Sequence, residues 1–409
     1  MKAVKLGLVI MAVALFTIGV SGMANAFHRG GVAECAGCHS MHSPLGTRLL
    51  IGSDASSACL SCHEHAGDTG PSSYHVSTAP ADMPALTPPL QRGPGGDFGW
   101  LKKSYAWTAH GEAEAETGPS HGHSIVALDK GYDADPVNTI SPGGSFAGSA
   151  LGCQSCHDPH GKGRRDSTGA YSNTGAPIFT TGSTGTIPTA GLAVGTYRIL
   201  AGTYYNPGSG PFGGWPIAVA PSTYNRTEAT QQIRIAYGGG GSANGWGKWC
   251  GTCHNAIATG AGLAGHPSHP VDGTLSSTIV TNYNTYVKSG DMTGTQATAY
   301  TSLIPFQEGT SAIATLVTHA KSDNTYLIGA STSDEVTCLT CHRAHASGWK
   351  HALRWNPDAS FIVSNGVYPA PADNSGHTPA EAQAAYYDRP PTVFAAYQRS
   401  LCNKCHAKD

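Results

Sequence analysis

Charge is the first thing this chain lacks. Asp, Glu, Lys and Arg make up 12% of its 409 residues, about half of the usual share. The formal charge is −2 and becomes more acidic if Lys2 and Lys5 are removed, which excludes nucleic acid as a natural partner. Long apolar runs are missing as well. After Leu6 to Val20 no stretch approaches the length of a membrane span. Helix-forming polar residues are few beside 53 Gly and 26 Pro, which excludes a bundle of long helices. The last absence is a spare cysteine, since all twelve are committed to one pattern.

That pattern is Cys-x-x-Cys-His, six times: Cys35, Cys38 and His39; Cys59, Cys62 and His63; Cys153, Cys156 and His157; Cys250, Cys253 and His254; Cys338, Cys341 and His342; Cys402, Cys405 and His406. Two sulfurs three residues apart share one face of a helical turn, where both can form thioethers to a porphyrin's vinyl groups. The histidine four residues after the first cysteine brings its ring to the iron. Six disulfides or zinc sites would not put a histidine after every pair. With 20 His in 409 residues, chance would do so with a probability of roughly 10⁻⁸. Six covalently bound haem c groups, with these cysteines as thioether donors and these histidines as proximal ligands, are the expectation.

Each iron has a second axial position, whose occupant separates carrier from catalyst. Beyond residue 26 only Met41, Met83 and Met292 remain, so six haems cannot all take methionine. Fourteen histidines lie outside the motif positions, which favours two histidines per iron and low reduction potentials. Three motifs continue to a histidine three residues on: His42, His160 and His345. Such a residue cannot reach the far side of its own porphyrin but can reach a neighbouring iron. His75, His123, His269 and His319 complete seven candidates for six places, so one is surplus. His28, His65, His110, His121, His266, His351 and His377 are expected at the surface or against haem propionates.

The N-terminus reads as a secretory signal: Lys2 and Lys5, the apolar run, then Ala24-Asn25-Ala26, so residues 1–26 are expected to be cleaved and 27–409 to form one haem-binding domain. The expected fold is mostly coil with short α-helices wrapped around a haem stack, and very little β-structure. Porphyrins would supply much of the apolar core. Gly, Ser, Thr and Pro dominate from Ser167 to Pro221, suggesting surface loops, with Tyr204, Tyr205, Phe212 and Trp215 packed on porphyrin edges. Helix spacing appears at Ile279, Tyr283, Tyr286 and Val287, over Thr295 to Leu303, and over Ile313 to Lys321. Thr378, Pro379 and Glu381 make a cap for a helix that runs to Pro390, and Thr392 to His406 reads as another.

Beyond the motifs, the chain resembles the outer-membrane cytochrome S family of exported hexahaem cytochromes from metal-reducing bacteria. The resemblance covers Gly30 to Cys35, His65 to His75, Gly96 to Trp100, Ala220 to Thr230, Cys341 to Gly348 and Tyr397 to Asp409. It implies subunits joined head to tail in a conductive filament, with His42 completing the haem held by Cys338, Cys341 and His342 of the adjacent subunit. The implied function is extracellular electron transfer rather than enzyme catalysis, from envelope donor cytochromes to metal oxides or other cells. A soluble shuttle with the same ligation is the alternative. A multihaem reductase is a second, and it would need one open iron.

Overall fold

The computed structural model describes residues 36–64, 70, 73–157, 159, 164–165, 171–172, 193–194, 199, 216–239, 245–260 and 269–407. Within them the chain is coil punctuated by short helices, as expected. The longest α-helices, Ala55–His63 and Ser277–Thr285, have nine residues each. Among the described residues no helix is long and apolar enough to cross a membrane. The signal segment, Cys35, His160 and the aromatic residues from Tyr204 to Trp215 lie outside the described residues.

Strands are short. β1 (Tyr105–Ala109) and β2 (Glu112–Glu116) form a hairpin that pairs Tyr105 with Glu116 and Ala109 with Glu112. β3 (Arg164–Arg165) pairs with β4 (Tyr171–Ser172). β5 (Ala193–Val194), β6 (Ile217–Pro221), β7 (Ala236–Gly238) and β8 (Gln307–Glu308) make one sheet in that order, antiparallel except between β7 and β8. Every residue of β6 is buried. The surface loop expected up to Pro221 therefore ends in a core strand, because Ile217, Ala218, Val219 and Ala220 pack in one cluster with Trp246, Trp249 and Leu316.

Side chains supply more of the core than the composition suggested. The largest cluster gathers Trp100, Tyr283, Tyr300, Phe306, Trp349, Trp355, Tyr368, Tyr386 and Phe394 with their aliphatic neighbours. Its tyrosines bury their rings, and two of them satisfy their hydroxyls on main-chain carbonyls. Tyr283 donates to the Ile304 carbonyl at 2.8 Å and Tyr368 to that of Arg389 at 2.7 Å.

The C-terminal helices are shorter than their sequence patterns. Helix Ser277–Thr285 is capped by Ser276, whose side chain accepts from the Ile279 amide, and stops before Val287. Helix Ile313–His319 lies where it was expected. Thr295 to Leu303 is not a helix. Only a 3-10 turn, Gln296–Thr298, forms there, because the Tyr300 amide donates to Leu327 and the Ser302 amide to the Gln232 side chain. Helix Pro379–Ala385 has the full capping box of Thr378 and Glu381 but ends five residues before Pro390. Tyr387 and Asp388 there take positive φ. Between Thr392 and His406 the only α-helix is Asn403–His406.

Candidate haem sites

Each described motif closes a single turn. The amide of His157 donates to Cys153 O at 2.9 Å, His254 to Cys250 O at 3.0 Å, His342 to Cys338 O at 2.9 Å and His406 to Cys402 O at 3.0 Å. The second motif lies inside helix Ala55–His63, which Asp54 caps by accepting from the Ser57 amide. The turn at each of these motifs brings its two cysteines and its histidine close together along the chain, as attachment of one haem requires.

Four motif histidines are oriented through Nδ1. His39 engages Arg48 O at 2.9 Å, His63 Tyr74 O at 2.9 Å, His254 Pro142 O at 2.8 Å and His342 His351 O at 2.7 Å. A carbonyl accepts, so Nδ1 carries the proton and the lone pair is on Nε2, the form that binds a metal. Desolvation by surrounding protein lowers the pKa of His63, and takes His342 down to about 4. Neutral imidazole is the ligating form.

Three candidate second ligands face motif histidines. Ring centres of His123 and His254 are 6.1 Å apart, those of His157 and His345 6.3 Å, and those of His269 and His406 6.3 Å. Two imidazoles on opposite sides of one metal, each ~2 Å from it with ~1.2 Å more to the ring centre, stand about 6.4 Å apart. The residues therefore fit an iron between each pair. His123 and His345 are set by one antiparallel contact: Gly122 pairs with Ala346, and the His123 amide donates to His345 O at 2.9 Å. Gly96 makes room beside them. Its φ is +90°, and a Cβ there would sit 1.8 Å from Ala346 O. His123 Nδ1 meets Ala344 O at 2.7 Å. Phe98 stacks on His345, whose pKa burial takes down to about 3.

The other candidates lie elsewhere. His42 is exposed beside Met41, Leu45 and Leu49. His75 is buried with Nδ1 2.8 Å from Ser73 Oγ. His319 holds Glu308 Oε2 at 2.5 Å and stacks on Tyr326. His121 and His377, expected at the surface or against propionates, are fully buried. Their rings pack with Trp100, Tyr105 and Trp349, which no sequence signal marked. His121 Nε2 and Glu116 Oε1 stand 2.8 Å apart without hydrogen-bond alignment, so that contact is electrostatic.

Motifs that neighbour each other in the sequence interact electrostatically through their thiols: Cys59 with Cys153 and Cys250 with Cys338 most strongly, and Cys38 with Cys62, Cys156 with Cys253, and Cys341 with Cys402 and Cys405 more weakly. These thiols stand for thioether sulfurs once haem is attached.

Ordered Cys-x-x-Cys-His turns, oriented imidazoles and little regular structure define the class of multihaem c-type cytochromes. No family model matches the chain. It is 50% identical over 442 aligned positions, covering all of both chains, to the C-type cytochrome OmcS of Geobacter sulfurreducens. It resembles the solved outer membrane cytochrome S filament from that organism with a TM-score of 0.81 and 49% identity, over 94% of this chain and all of the other. A cryo-EM structure of OmcS nanowires matches with 0.79 and 47% over the same shares. The chain belongs to the OmcS family of c-type cytochromes.

Proposed function

We propose that this chain is an extracellular electron carrier that polymerises head to tail through its own histidines. The three imidazole pairs at 6.1 to 6.3 Å carry the reading. When bound, haem supplies reversible one-electron chemistry at its iron. The twelve cysteines hold six such groups, and the ordered cysteine run lines them up as a path.

The second ligands follow a step of two motifs. His345, on the fifth motif, serves the iron at His157 on the third. The same step takes His160 from the third motif to the iron at His39. It takes His42 from the first motif back to the fifth motif of the adjacent subunit, whose proximal ligand is His342. Even-numbered motifs follow another rule. His123 and His269 lie in the sequence before the odd-numbered motif that precedes their own target. Applied to His63, that rule points to His28, at the start of the exported chain. His75 and His319 are then not axial ligands. Residues 1–26 are the cleaved signal, donors are envelope cytochromes, and acceptors are metal oxides or other cells.

Electron microscopy of the haem-loaded protein from the cell surface tests this. Regular filaments with an unbroken haem path and His42 crossing the interface are expected. Discrete particles would overturn polymerisation and leave a shuttle. Carbon monoxide should leave the reduced spectrum unchanged; a shifted spectrum would mean an open iron and revive the reductase reading.

A further inference from the structure

Five of the six motifs place only uncharged residues between their cysteines: Ala-Gly, Leu-Ser, Gln-Ser, Gly-Thr and Leu-Thr. The sixth holds Asn403 and Lys404, so Lys404 is the one charged side chain in such a position. Lysine is ordinarily exposed, yet Lys404 is 4% exposed. Its Nζ donates to Tyr283 O at 2.8 Å and to Tyr286 O at 2.7 Å, and it stands 4.5 Å from the centre of the Tyr283 ring. Those carbonyls lie at the C-terminal end of helix Ser277–Thr285, an end that favours a cation. Asn282 of the same helix donates to Cys405 O at 2.8 Å. Two side chains thus clamp the sixth attachment turn to the helix end and hold the ammonium away from water.

Among the described residues no carboxylate offsets this charge. Both acceptors are neutral carbonyls, and the one titratable neighbour is the Cys405 thiol, which becomes an uncharged thioether once haem is attached. Burial lowers the Lys404 pKa to about 8, which leaves the amine protonated at pH 7. An unscreened cation beside a haem favours the reduced iron, which carries one positive charge fewer. A unit charge ~10 Å away, at an effective dielectric of ~20, changes such an equilibrium on the order of tenfold. We propose that Lys404 acts as a fixed charge that raises the reduction potential of the sixth haem, held by Cys402, Cys405 and His406, above the value its ligands alone would set. The inference rests on the covalent haem attachment proposed above and is independent of polymerisation.

The test is a dithionite redox titration at pH 7 of the holoprotein and of two neutral variants, Lys404→Met and Lys404→Gln, each first shown by mass to carry six haems. Each haem takes up one electron, and no bond is made or broken. Both variants should move the same one of the six redox components to lower potential by about tenfold in its equilibrium constant, about 59 mV for one electron. Lys404→Arg, which keeps the charge, should retain most of the wild-type value. His269→Met marks the sixth haem by raising its component, since His269 faces His406 and methionine ligation raises a haem's potential. Unchanged titrations at full haem content, or a shift confined to another component, would overturn the proposal. If His269→Met raises none, the axial pairing proposed above fails, and Lys404 is judged by the component that both neutral variants share. Fewer than six haems in the wild-type protein would instead count against the haem reading itself. A cryo-EM map of the wild-type holoprotein covers neutral variants that fail to fold. Nζ held by the Tyr283 and Tyr286 carbonyls alone supports the fixed charge, and any carboxylate oxygen within ~4 Å of it overturns it.

Discussion

The loops after the first and fifth haem motifs are built alike. In each, the motif histidine bridges a leucine eleven residues on, His39 to Leu50 and His342 to Leu353. Ser40 N donates to Leu49 O, and Arg343 N to Ala352 O; Ile51 N donates to Cys38 O, and Arg354 N to Cys341 O. Both loops turn through left-handed residues, Arg48 and Leu49 in one, His351 and Ala352 in the other. Nδ1 of each motif histidine then meets the carbonyl nine residues ahead. What differs is the surroundings. The fifth-motif loop carries Trp349, 1% exposed, and its His345 amide is tied to Gly95 O at 2.7 Å. The first-motif loop leaves Met41 at 79%, Leu45 at 72% and Leu49 at 47% exposure, and His42 is exposed as well. The fifth-motif loop closes on its own chain, while the first presents its histidine and three large apolar side chains outward. Such a self-mismatched pair of ends suits an open, head-to-tail contact.

Removing each arm is the sharpest way to break this comparison. His345→Ala should take the second ligand from the iron at His157 within one chain, so that isolated subunits bind carbon monoxide. His42→Ala should leave the polypeptide core intact yet abolish filaments in electron micrographs. Filaments that persist without His42 would end the parallel.

Packing comes next. Trp349→Ala should cost about 3–5 kcal/mol in denaturant unfolding, whereas Leu45→Ser in the open loop should change subunit stability by less than about 0.5 kcal/mol. Equal costs would mean that the first loop is as closed as the fifth.

Acid should act on the closed side. Burial, with His121 nearby, brings His377 beneath Trp349 to a pKa of about 4. The unfolded chain takes up that proton near 6.5, the folded chain only near 4, so stability is full above 6.5 and falls as pH drops towards 4. The loss amounts to roughly 3 kcal/mol. His377→Phe should flatten the decline of the unfolding midpoint between pH 7 and pH 5; an unchanged slope would assign the acid sensitivity elsewhere.

A smaller effect than these losses concerns helix Pro379–Ala385, which packs Ala385 against Gly348 of the fifth-motif loop. Thr378→Ala should remove the cap's hydrogen bond and cost about 1 kcal/mol, with no effect on filament length.

Much of the site was legible because covalent haem attachment demands a rigid local spacing. Cys338, Cys341 and His342 sit within one helical turn wherever that turn is placed, so the motif survives any tertiary context. The capping box at Thr378 and Glu381 was readable for the same reason. Thr295 to Leu303 was not, since Leu327 and Gln232 take amides that a helix would have used. Nor could spacing mark His121 and His377 as core residues, because their burial comes from aromatic partners distant in sequence.

The sequence by itself determined the covalent chemistry, a Cys-x-x-Cys-His pattern written six times, because each copy spans only five residues. Only the tertiary structure decided which histidine faces which motif. His123 reaches His254, and His345 reaches His157, through a backbone contact between segments more than two hundred residues apart. It also decided that two nearly identical loops differ in burial. Burial of a loop depends on what packs around it, and local sequence does not carry that information.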